Sequence, residues 1–178
     1  MSCEPLIILS GKAGSGKTTI GRLLATSLNY EFVSMGNFSR NYARDHHGMD
    51  INQFQDYCKP HPEMDAHLDD WFVKDISARA AAGMGLVLDY RLGVHFFPGA
   101  RSFFLEVSDA VAACRVAARK DETGKTIEAR NQKMRHRLLA SYGFDFTELA
   151  QYDLKVITDT LKETDVVETI LASLKNPL

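Results

Sequence analysis

The sequence predicts an α/β fold in which helices cover both faces of a five-stranded parallel sheet. Short apolar segments alternate with amphipathic segments along the 178 residues, and this order is typical of doubly wound sheets. A glycine-rich turn follows the first apolar segment and precedes a segment of helical periodicity, which predicts a strand–loop–helix unit near the start. No repeat or low-complexity stretch interrupts the pattern, so we expect one domain over residues 1–178.

The first half of the chain contains two predicted strands, one helix and a longer helical region. Residues 5–10 form a short apolar run, which predicts a buried strand, and residues 30–34 predict a second strand. Between them, apolar residues at helical spacing predict a helix over residues 17–28. Residues 37–82 are predicted to be largely helical, with breaks at a glycine and at a Lys-Pro-His-Pro run. Because this region lies between two strands, it is the candidate subdomain.

The second half alternates strands with helices more regularly. Glycines bracket the apolar run 86–89, and a further apolar segment spans residues 101–107, which predicts the third and fourth strands. Ser108 is a favourable N-cap, so a helix is predicted from there through residue 119. The remaining predicted elements are a helix over 126–141 that ends near Gly143, a strand over 154–158 and a helix over 163–175.

The composition argues against several classes of protein. Lys and Arg total 21 against 23 Asp and Glu, so no overall basic excess indicates nucleic-acid binding. The apolar runs are far shorter than the roughly 20 residues of a membrane span, and the first residues lack the features of a signal peptide. Three distant cysteines predict reduced thiols. We expect a cytoplasmic protein with no membrane or nucleic-acid partner, and a monomer is slightly favoured.

The glycine-rich turn matches the phosphate-binding pattern GxxxxGK[ST], the P-loop. Its glycines allow backbone N–H groups to surround phosphate oxygens, and the following helix directs its N-terminal dipole at the same phosphates. Lys17 is expected to reach the β- and γ-phosphates, and the Thr18 hydroxyl is the expected ligand of Mg²⁺. The motif predicts a P-loop NTPase fold that binds a nucleoside triphosphate through Gly11, Gly14, Ser15, Gly16, Lys17, Thr18 and Thr19. It leaves the reaction open, because GTPases, ATPases and small-molecule kinases all carry it.

Two arginines and one acid stand where strands of the predicted sheet end. Arg40 follows the second strand, and Arg91 lies two residues past Asp89 at the end of the third strand. Ligands of doubly wound sheets bind at this carboxyl edge. An acid in the position of Asp89 usually holds Mg²⁺ in P-loop proteins, directly or through water. Guanidinium groups match phosphate and stay charged, so both arginines are candidates for a phosphate site.

A local positive cluster follows the fourth strand. Residues 115–137 hold eight Lys or Arg and three acids, and eight minus three gives +5 in a chain whose net charge is −2. Arg115 and Arg119 share a helix face, and so do Arg130 and Arg137 two turns apart. The polar connection between the two pairs is suited to a mobile flap. Phosphoryl transfer explains this combination of basic residues and a flap. Its transition state spreads negative charge over the phosphoryl oxygens, and a closing flap excludes water.

Several short segments outside the P-loop match family patterns in one order. They are Val33 to Arg40 (V-S-x-G-[DE]-x-x-R), Gly48-Met49 with Phe54 (G-M-[ST]-x-x-x-F), Pro62 to Asp69 (D-P-x-I-D-x-x-I-D), Val87 to Leu92 (V-[LV]-[ED]-G-R-L), Arg115 to Arg119 (R-I-A-x-R), Arg130 and Arg137 with Tyr142-Gly143, and Tyr152 to Leu154 (Y-D-L). In this order and spacing the chain resembles the nucleoside monophosphate kinases, and most closely the short cytidylate kinases of the archaeal type. The resemblance covers nearly the whole chain.

The resemblance implies transfer of a phosphoryl group from ATP to CMP or dCMP, giving ADP and CDP or dCDP. It also implies that residues 36–82 are a helical monophosphate-binding insert and that residues around 120–129 form a short lid. The implied catalytic residues are Lys17, Arg91, Arg119, Arg130 and Arg137. The other implied roles are Arg115 near the adenine, Arg40 and Arg91 on the acceptor's phosphate, Asp65 and Asp69 near its base or ribose, and Thr18 and, through water, Asp89 on Mg²⁺.

Some residues depart from the family pattern, mostly on the acceptor side. Asn37 stands where Asp or Glu is usual, Ala66 where an arginine is frequent, and Met134 where an acid is common. The lid is a few residues shorter. Tyr90 replaces a glycine between Asp89 and Arg91, so its ring must either find space beside the acceptor phosphate or turn away from it.

Two other functions remain open from the sequence. A kinase of the same fold with a hydroxyl acceptor, such as shikimate, needs a base for the hydroxyl proton. Its acid commonly follows the second strand, where this chain has Ser34, Asn37 and Ser39. A nucleotide-sensing module without catalysis explains the departures as lost acceptor contacts, but it explains the lid arginines less well.

Overall fold

The computed structural model describes residues 6–117 and 124–175. Five parallel strands form one sheet in the order β2-β3-β1-β4-β5, which confirms the predicted fold class. The strands are β1 (Leu6–Gly11), β2 (Glu31–Ser34), β3 (Leu86–Asp89), β4 (Arg101–Glu106) and β5 (Leu154–Ile157). The helices are α1 (Lys17–Leu28), α2 (Met35–His47), α3 (Ile51–Cys58), α4 (Pro62–Ala81), α5 (Gly93–Phe96), α6 (Asp109–Ala117), α7 (Gly124–Tyr142) and α8 (Glu163–Lys175).

The predicted elements are present, and the bounds of α1, β3 and α8 are as predicted. The long helical region divides into α2, α3 and α4, with breaks at Gly48 and between Cys58 and Pro62, as predicted. Two short elements were not predicted: α5 and a single 3-10 turn at Leu149–Gln151. Each is about one turn long, which is too short to show a helical period. None of the helices in the two described ranges is long and apolar enough to span a membrane.

Both faces of the sheet are covered, because neighbouring residues of each central strand point to opposite sides. Leu88 of β3 belongs to a buried cluster with α4 and α7, which contribute Phe72 and Leu138. The adjacent residue, Val87, belongs to the cluster on the other face of the sheet. That cluster also contains Ile20 of α1 and apolar residues of α8. The strands are therefore buried on both sides, which is why they are continuous apolar runs in the sequence.

Helices α2, α3 and α4 also pack on one another around a smaller cluster. Ala43, Phe54, Cys58 and Leu68 form its buried part. Helix α4 contributes Phe72 to the sheet cluster as well, so it joins the helical region to the sheet. This arrangement brings α2 and α4 next to the carboxyl ends of β2 and β3.

Candidate active site

The P-loop connects β1 to α1 and lies against α6. Gly14 and Gly16 have φ values of 85° and 87°, in the left-handed region that favours glycine. A Cβ on Gly14 would lie 2.9 Å from the Cβ of Ala112, and a Cβ on Gly11 would collide with the carbonyl oxygen of Leu105. The predicted glycines are therefore required by backbone conformation and by the close approach of β4 and α6.

Lys17 folds back over the loop and is held there by three acceptors. Its Nζ donates to the carbonyl oxygens of Gly11 at 2.8 Å and Lys12 at 2.7 Å, and to the Ser15 hydroxyl at 3.3 Å. The residue is only 8% exposed. The ammonium group is therefore fixed at the mouth of the P-loop, where the motif predicted it to meet phosphate.

Further cations lie close to Lys17. Burial is the main reason that the pKa of Lys17 falls from its usual 10.5 to about 7, and the charge of Arg91 lowers it in the same direction. Asp89 opposes this shift, and Arg130 adds a smaller lowering. Cations from the P-loop, from the segment after β3 and from α7 thus converge. Such a group is electrostatically suited to a polyphosphate.

Thr18 and Asp89 form the oxygen-rich side of the same site. The Thr18 hydroxyl on the first turn of α1 donates to Asp89 Oδ2 at the end of β3, at 3.2 Å. Hydroxyl and carboxylate oxygens are ligands that Mg²⁺ prefers, and this cation usually keeps several waters besides. The two residues therefore fit a magnesium ion bound beside the P-loop.

Arg91 is supported by an aromatic ring. Its Cζ lies 5.3 Å from the ring centroid of the fully buried Phe146, a cation–π arrangement. Burial lowers the pKa of Arg91, and the nearby carboxylate of Asp89 partly opposes that shift. Within the part of the chain that the structure describes, Arg91 Nε is buried and makes no hydrogen bond. The guanidinium is oriented by packing, and no bidentate carboxylate pair engages it among these residues.

Helix α7 contacts both the P-loop and α4. The side-chain oxygen of Asn131 accepts the backbone N–H of Ala13 at 2.8 Å, across 118 residues of sequence. Arg137, two turns past Arg130, pairs with Asp65 of α4 at 3.0 Å. The carboxylate of Asp65 raises the pKa of Arg137 against the effect of burial. Helix α7 therefore carries two of the predicted arginines along the rim of the site.

On the acceptor side, Arg40 lies exposed on α2 and donates to the amide oxygen of Asn37. Because Asn37 is neutral, this contact leaves the positive charge of Arg40 uncompensated. Of the other departures, Ala66 is exposed, and Met134 is half-buried against the cluster under α4 and α7.

Tyr90 turns into the core, which answers the question that the sequence raised. It is 4% exposed, with its ring 4.9 Å from Phe72 and parallel to Phe96 at 6.2 Å. Its hydroxyl donates to Asp69 Oδ1, and the hydroxyl of Tyr142 donates to Oδ2, both at 2.8 Å. Burial raises the pKa of Asp69, and the two tyrosine hydroxyls oppose that shift.

The remaining predicted residues lie at the edges of the site or outside the described ranges. Arg115 donates to the Thr158 hydroxyl at 3.0 Å and also to the Thr158 carbonyl oxygen, so it joins α6 to the end of β5. Thr19 is exposed on the first turn of α1. Arg119 and the first part of the predicted lid lie outside the described residues, and α7 already begins at Gly124.

Sequence reasoning did not identify three residues that shape this site. Asn131, Phe146 and Tyr142 each act through a partner that is distant in sequence. Tyr142 had a signal, because it follows the arginine pair in the family pattern, but its partner Asp69 could not be inferred. No sequence signal pointed to Asn131 or Phe146, since neither spacing nor composition links them to the P-loop or to Arg91.

Several known proteins resemble this chain in sequence or in fold. A family model described as an AAA domain matches residues 7–136. The cytidylate kinase of Pyrobaculum arsenaticum is 36% identical over 168 residues, which cover 91% of this chain and 88% of that protein. A solved shikimate kinase from Acinetobacter baumannii, in complex with shikimate, has a TM-score of 0.65 and 22% identity, covering 98% of this chain and 95% of that one. At that identity the last likeness concerns the fold alone.

Another relative is much longer than this chain. The S-adenosylmethionine-dependent nucleotide dehydratase of Lacinutrix mariniflava is 45% identical over 169 residues, which cover 93% of this chain and 35% of that protein. The chain thus spans about a third of that relative's length.

Proposed function

Because this chain belongs to the P-loop kinase family that includes the archaeal cytidylate kinases, we propose that it transfers the γ-phosphoryl group of ATP to a nucleoside monophosphate, with CMP and dCMP as the first candidates. The observation that carries the proposal is the convergence of cations on the P-loop lysine. Arg91 and Arg130 approach Lys17 from β3 and α7, closely enough to lower its pKa. The charge suits two anionic substrates, a triphosphate and a monophosphate, that must be brought together.

In this proposal the P-loop backbone and Lys17 bind the β- and γ-phosphates of ATP. Thr18 and, through water, Asp89 hold Mg²⁺, which neutralises phosphate charge when bound. Arg115, fixed against Thr158, borders the space for the adenine. Arg40 and Arg91 hold the phosphate of the acceptor, and residues 36–82 form the insert that contains it. The segment around 120–129 serves as the lid.

The transfer needs no protein base. An oxygen of the acceptor phosphate, already anionic, forms a bond to the γ-phosphorus while the bond from that phosphorus to the β–γ bridging oxygen breaks, and ADP leaves. Lys17, Arg91 and Arg130 stabilise the charge on the transferring group, and the roles of Arg119 and Arg137 are proposed by resemblance. The side chains that follow β2 support this choice, since Ser34 and Asn37 supply no carboxylate for a hydroxyl acceptor.

The name of the longer relative also favours a nucleotide as the acceptor. That protein is described as a nucleotide dehydratase. We infer that this chain also acts on a nucleotide.

The test is ADP formation by pure protein with ATP and Mg²⁺ and each of CMP, dCMP, UMP, AMP, GMP and shikimate. We expect turnover with a pyrimidine nucleoside monophosphate, a loss of at least about a hundredfold in Arg91→Ala, and little change in Arg22→Ala. Arg22 is a matched control, because it is an exposed arginine on α1 that lies over the ring of Phe32. Turnover with shikimate alone would overturn the proposed acceptor, and ATP binding without any transfer would favour the sensing module.

A further inference from the structure

The carboxylate of Asp69 is enclosed by protein donors. Its two oxygens accept the hydroxyls of Tyr90 and Tyr142, each at 2.8 Å, and the residue is 1% exposed. The three side chains come from α4, from the segment after β3 and from the end of α7. A buried carboxylate with both oxygens hydrogen-bonded is stable only while those donors remain in place. The Asp69 junction, as we call these three residues, therefore fixes three elements relative to one another.

One turn before Asp69, Asp65 lies on the same face of α4 and makes a second contact with α7. Residues four apart on a helix are neighbours, and Asp65 pairs with Arg137 at 3.0 Å. The acidic face of α4 is thus directed at an arginine and two tyrosines. It holds α7 against α4 at two successive turns.

The junction lies next to the arginines of the site along the chain. Tyr90 immediately precedes Arg91, so the hydrogen bond from Tyr90 to Asp69 fixes the backbone that carries the Arg91 guanidinium. Tyr142 lies on the same helix as Arg130 and Arg137. A displacement of the Asp69 carboxylate would be transmitted to arginines on both sides of the acceptor phosphate.

We propose that Asp69 is a positioning residue that orients Arg91 and α7 through Tyr90 and Tyr142, and that this chain selects its acceptor base without a contact from the Asp69 carboxylate. The inference rests on the proposed function and deepens it. Cytosine presents an amino donor where uracil presents a carbonyl acceptor. Among the described residues the Asp69 carboxylate accepts hydrogen bonds only from these two tyrosines, and at 1% exposure it does not reach a base, so removing it must affect CMP and UMP alike.

The test compares Tyr90→Phe, Tyr142→Phe and Asp69→Asn with the wild-type protein. The two tyrosine variants retain their rings and lose one hydroxyl each, which guards against misfolding of the aspartate variant. Thr169→Val is the control, since it also removes one hydroxyl hydrogen bond, from exposed Thr169 to the Asp165 carbonyl oxygen on α8, a helix that carries none of the site residues. We measure kcat and KM for CMP, UMP and ATP, dissociation constants of CMP and UMP by calorimetry, and thermal unfolding.

We expect each junction variant to lower kcat/KM for CMP and for UMP by the same factor, about tenfold, with the KM for ATP within about twofold of the wild type. A purely structural role would instead change ATP and acceptor parameters together. A loss confined to CMP in Asp69→Asn would overturn the inference and identify a base contact. Full activity in both tyrosine variants would overturn it as well.

Failure of the proposed function has a different signature. Wild-type protein that binds monophosphates and transfers nothing contradicts the kinase activity, while the ratio of CMP to UMP affinities in Asp69→Asn still decides this inference. Wild-type protein that binds no nucleoside monophosphate contradicts both.

Discussion

At the scale of the single residue, the charge of Lys17 is the most consequential feature of the site. Its ammonium group is buried, and a nearby arginine adds to the cost of charging it, so its pKa falls to about 7. The three acceptors around Nζ are a hydroxyl and two carbonyl oxygens, which stabilise a positive charge less than a carboxylate would. An incoming phosphate chain supplies the missing negative charge and returns the pKa toward its usual value.

This shift predicts proton uptake when a nucleoside triphosphate binds. Because the pKa of Lys17 is lowered to about 7 without ligand and phosphate charge raises it in the complex, binding takes up protons, and the affinity for ATP must fall as the pH rises through about 7. Calorimetry at pH 8 in buffers of different ionisation enthalpy measures the protons taken up. We expect a positive uptake that disappears in Lys17→Met. Uptake that persists in this variant would assign the proton to another group.

The residue scale also shows which site residues the sequence could predict. Lys17 and Thr18 lie within eight consecutive residues of a motif whose backbone conformation is local, so their placement followed from the sequence alone. The burial of Tyr90 did not, although its departure from the family pattern was visible. Its partner Asp69 is 21 residues away, and only the packing of α4 on β3 brings the two together.

At the scale of the element, α7 determines how the arginines face the P-loop. Its first half is tied to the P-loop by Asn131, and its end is tied to α4 by Tyr142. The carboxamide of Asn131 is neutral, so it can lie beside phosphates without repelling them. A helix was predicted over residues 126–141, but its two ties were not predicted, because each joins residues far apart in the chain.

The tie at Asn131 gives a prediction for the rate of transfer. Asn131→Ala removes the acceptor for the Ala13 N–H, and we expect kcat to fall about fivefold while the affinity for ATP changes little. Gln132→Ala is the matched control, since this exposed neighbour pairs only with Glu128 on its own helix. Steady-state kinetics of both variants decide the point. Equal rates for Asn131→Ala and the control would show that the tie does not orient α7.

Asp at position 131 would test the charge argument separately. Asn131→Asp keeps an oxygen acceptor and adds a negative charge near the phosphate chain, so its main effect must be a weaker affinity for ATP rather than a lower kcat.

At the scale of the whole molecule, α4 connects the sheet to the helices between β2 and β3. Its residue Phe72 is fully buried in the cluster under the sheet, while Leu68, one turn earlier, belongs to the cluster of α2 and α3. The region between β2 and β3 therefore shares a helix with the sheet core. Folding of the two parts should be a single cooperative event.

Truncation of the shared helix tests this expectation. Phe72→Ala should destabilise the protein by about 3–5 kcal/mol, with one unfolding transition in urea seen by both circular dichroism and tryptophan fluorescence. Its neighbour Trp71 is exposed, so Trp71→Ala, followed by circular dichroism alone, should cost less than half as much. Two separate transitions in Phe72→Ala would mean that the helical region unfolds independently of the sheet.

At this scale the sequence was most informative. The alternation of strands and helices predicted a parallel sheet covered on both faces, and the apolar runs indicated the buried strands, whereas the strand order came only from the structure. The short α5 and the 3-10 turn escaped prediction because a single turn carries no period. The sequence could not predict how closely a loop approaches an element that is distant in the chain.

The contact between the P-loop and α6 illustrates the consequence of such an approach. Gly14 has no side chain, and Ala112 occupies the space that one would need. Considered by itself, position 112 is an ordinary helical site where leucine or glutamate would serve as well as alanine. In this fold its identity is dictated from 98 positions away: any larger residue would displace the loop that receives the phosphates. Among variants selected for activity in a random library, position 112 should therefore accept only alanine, glycine or serine, a restriction that nothing in its own helix explains.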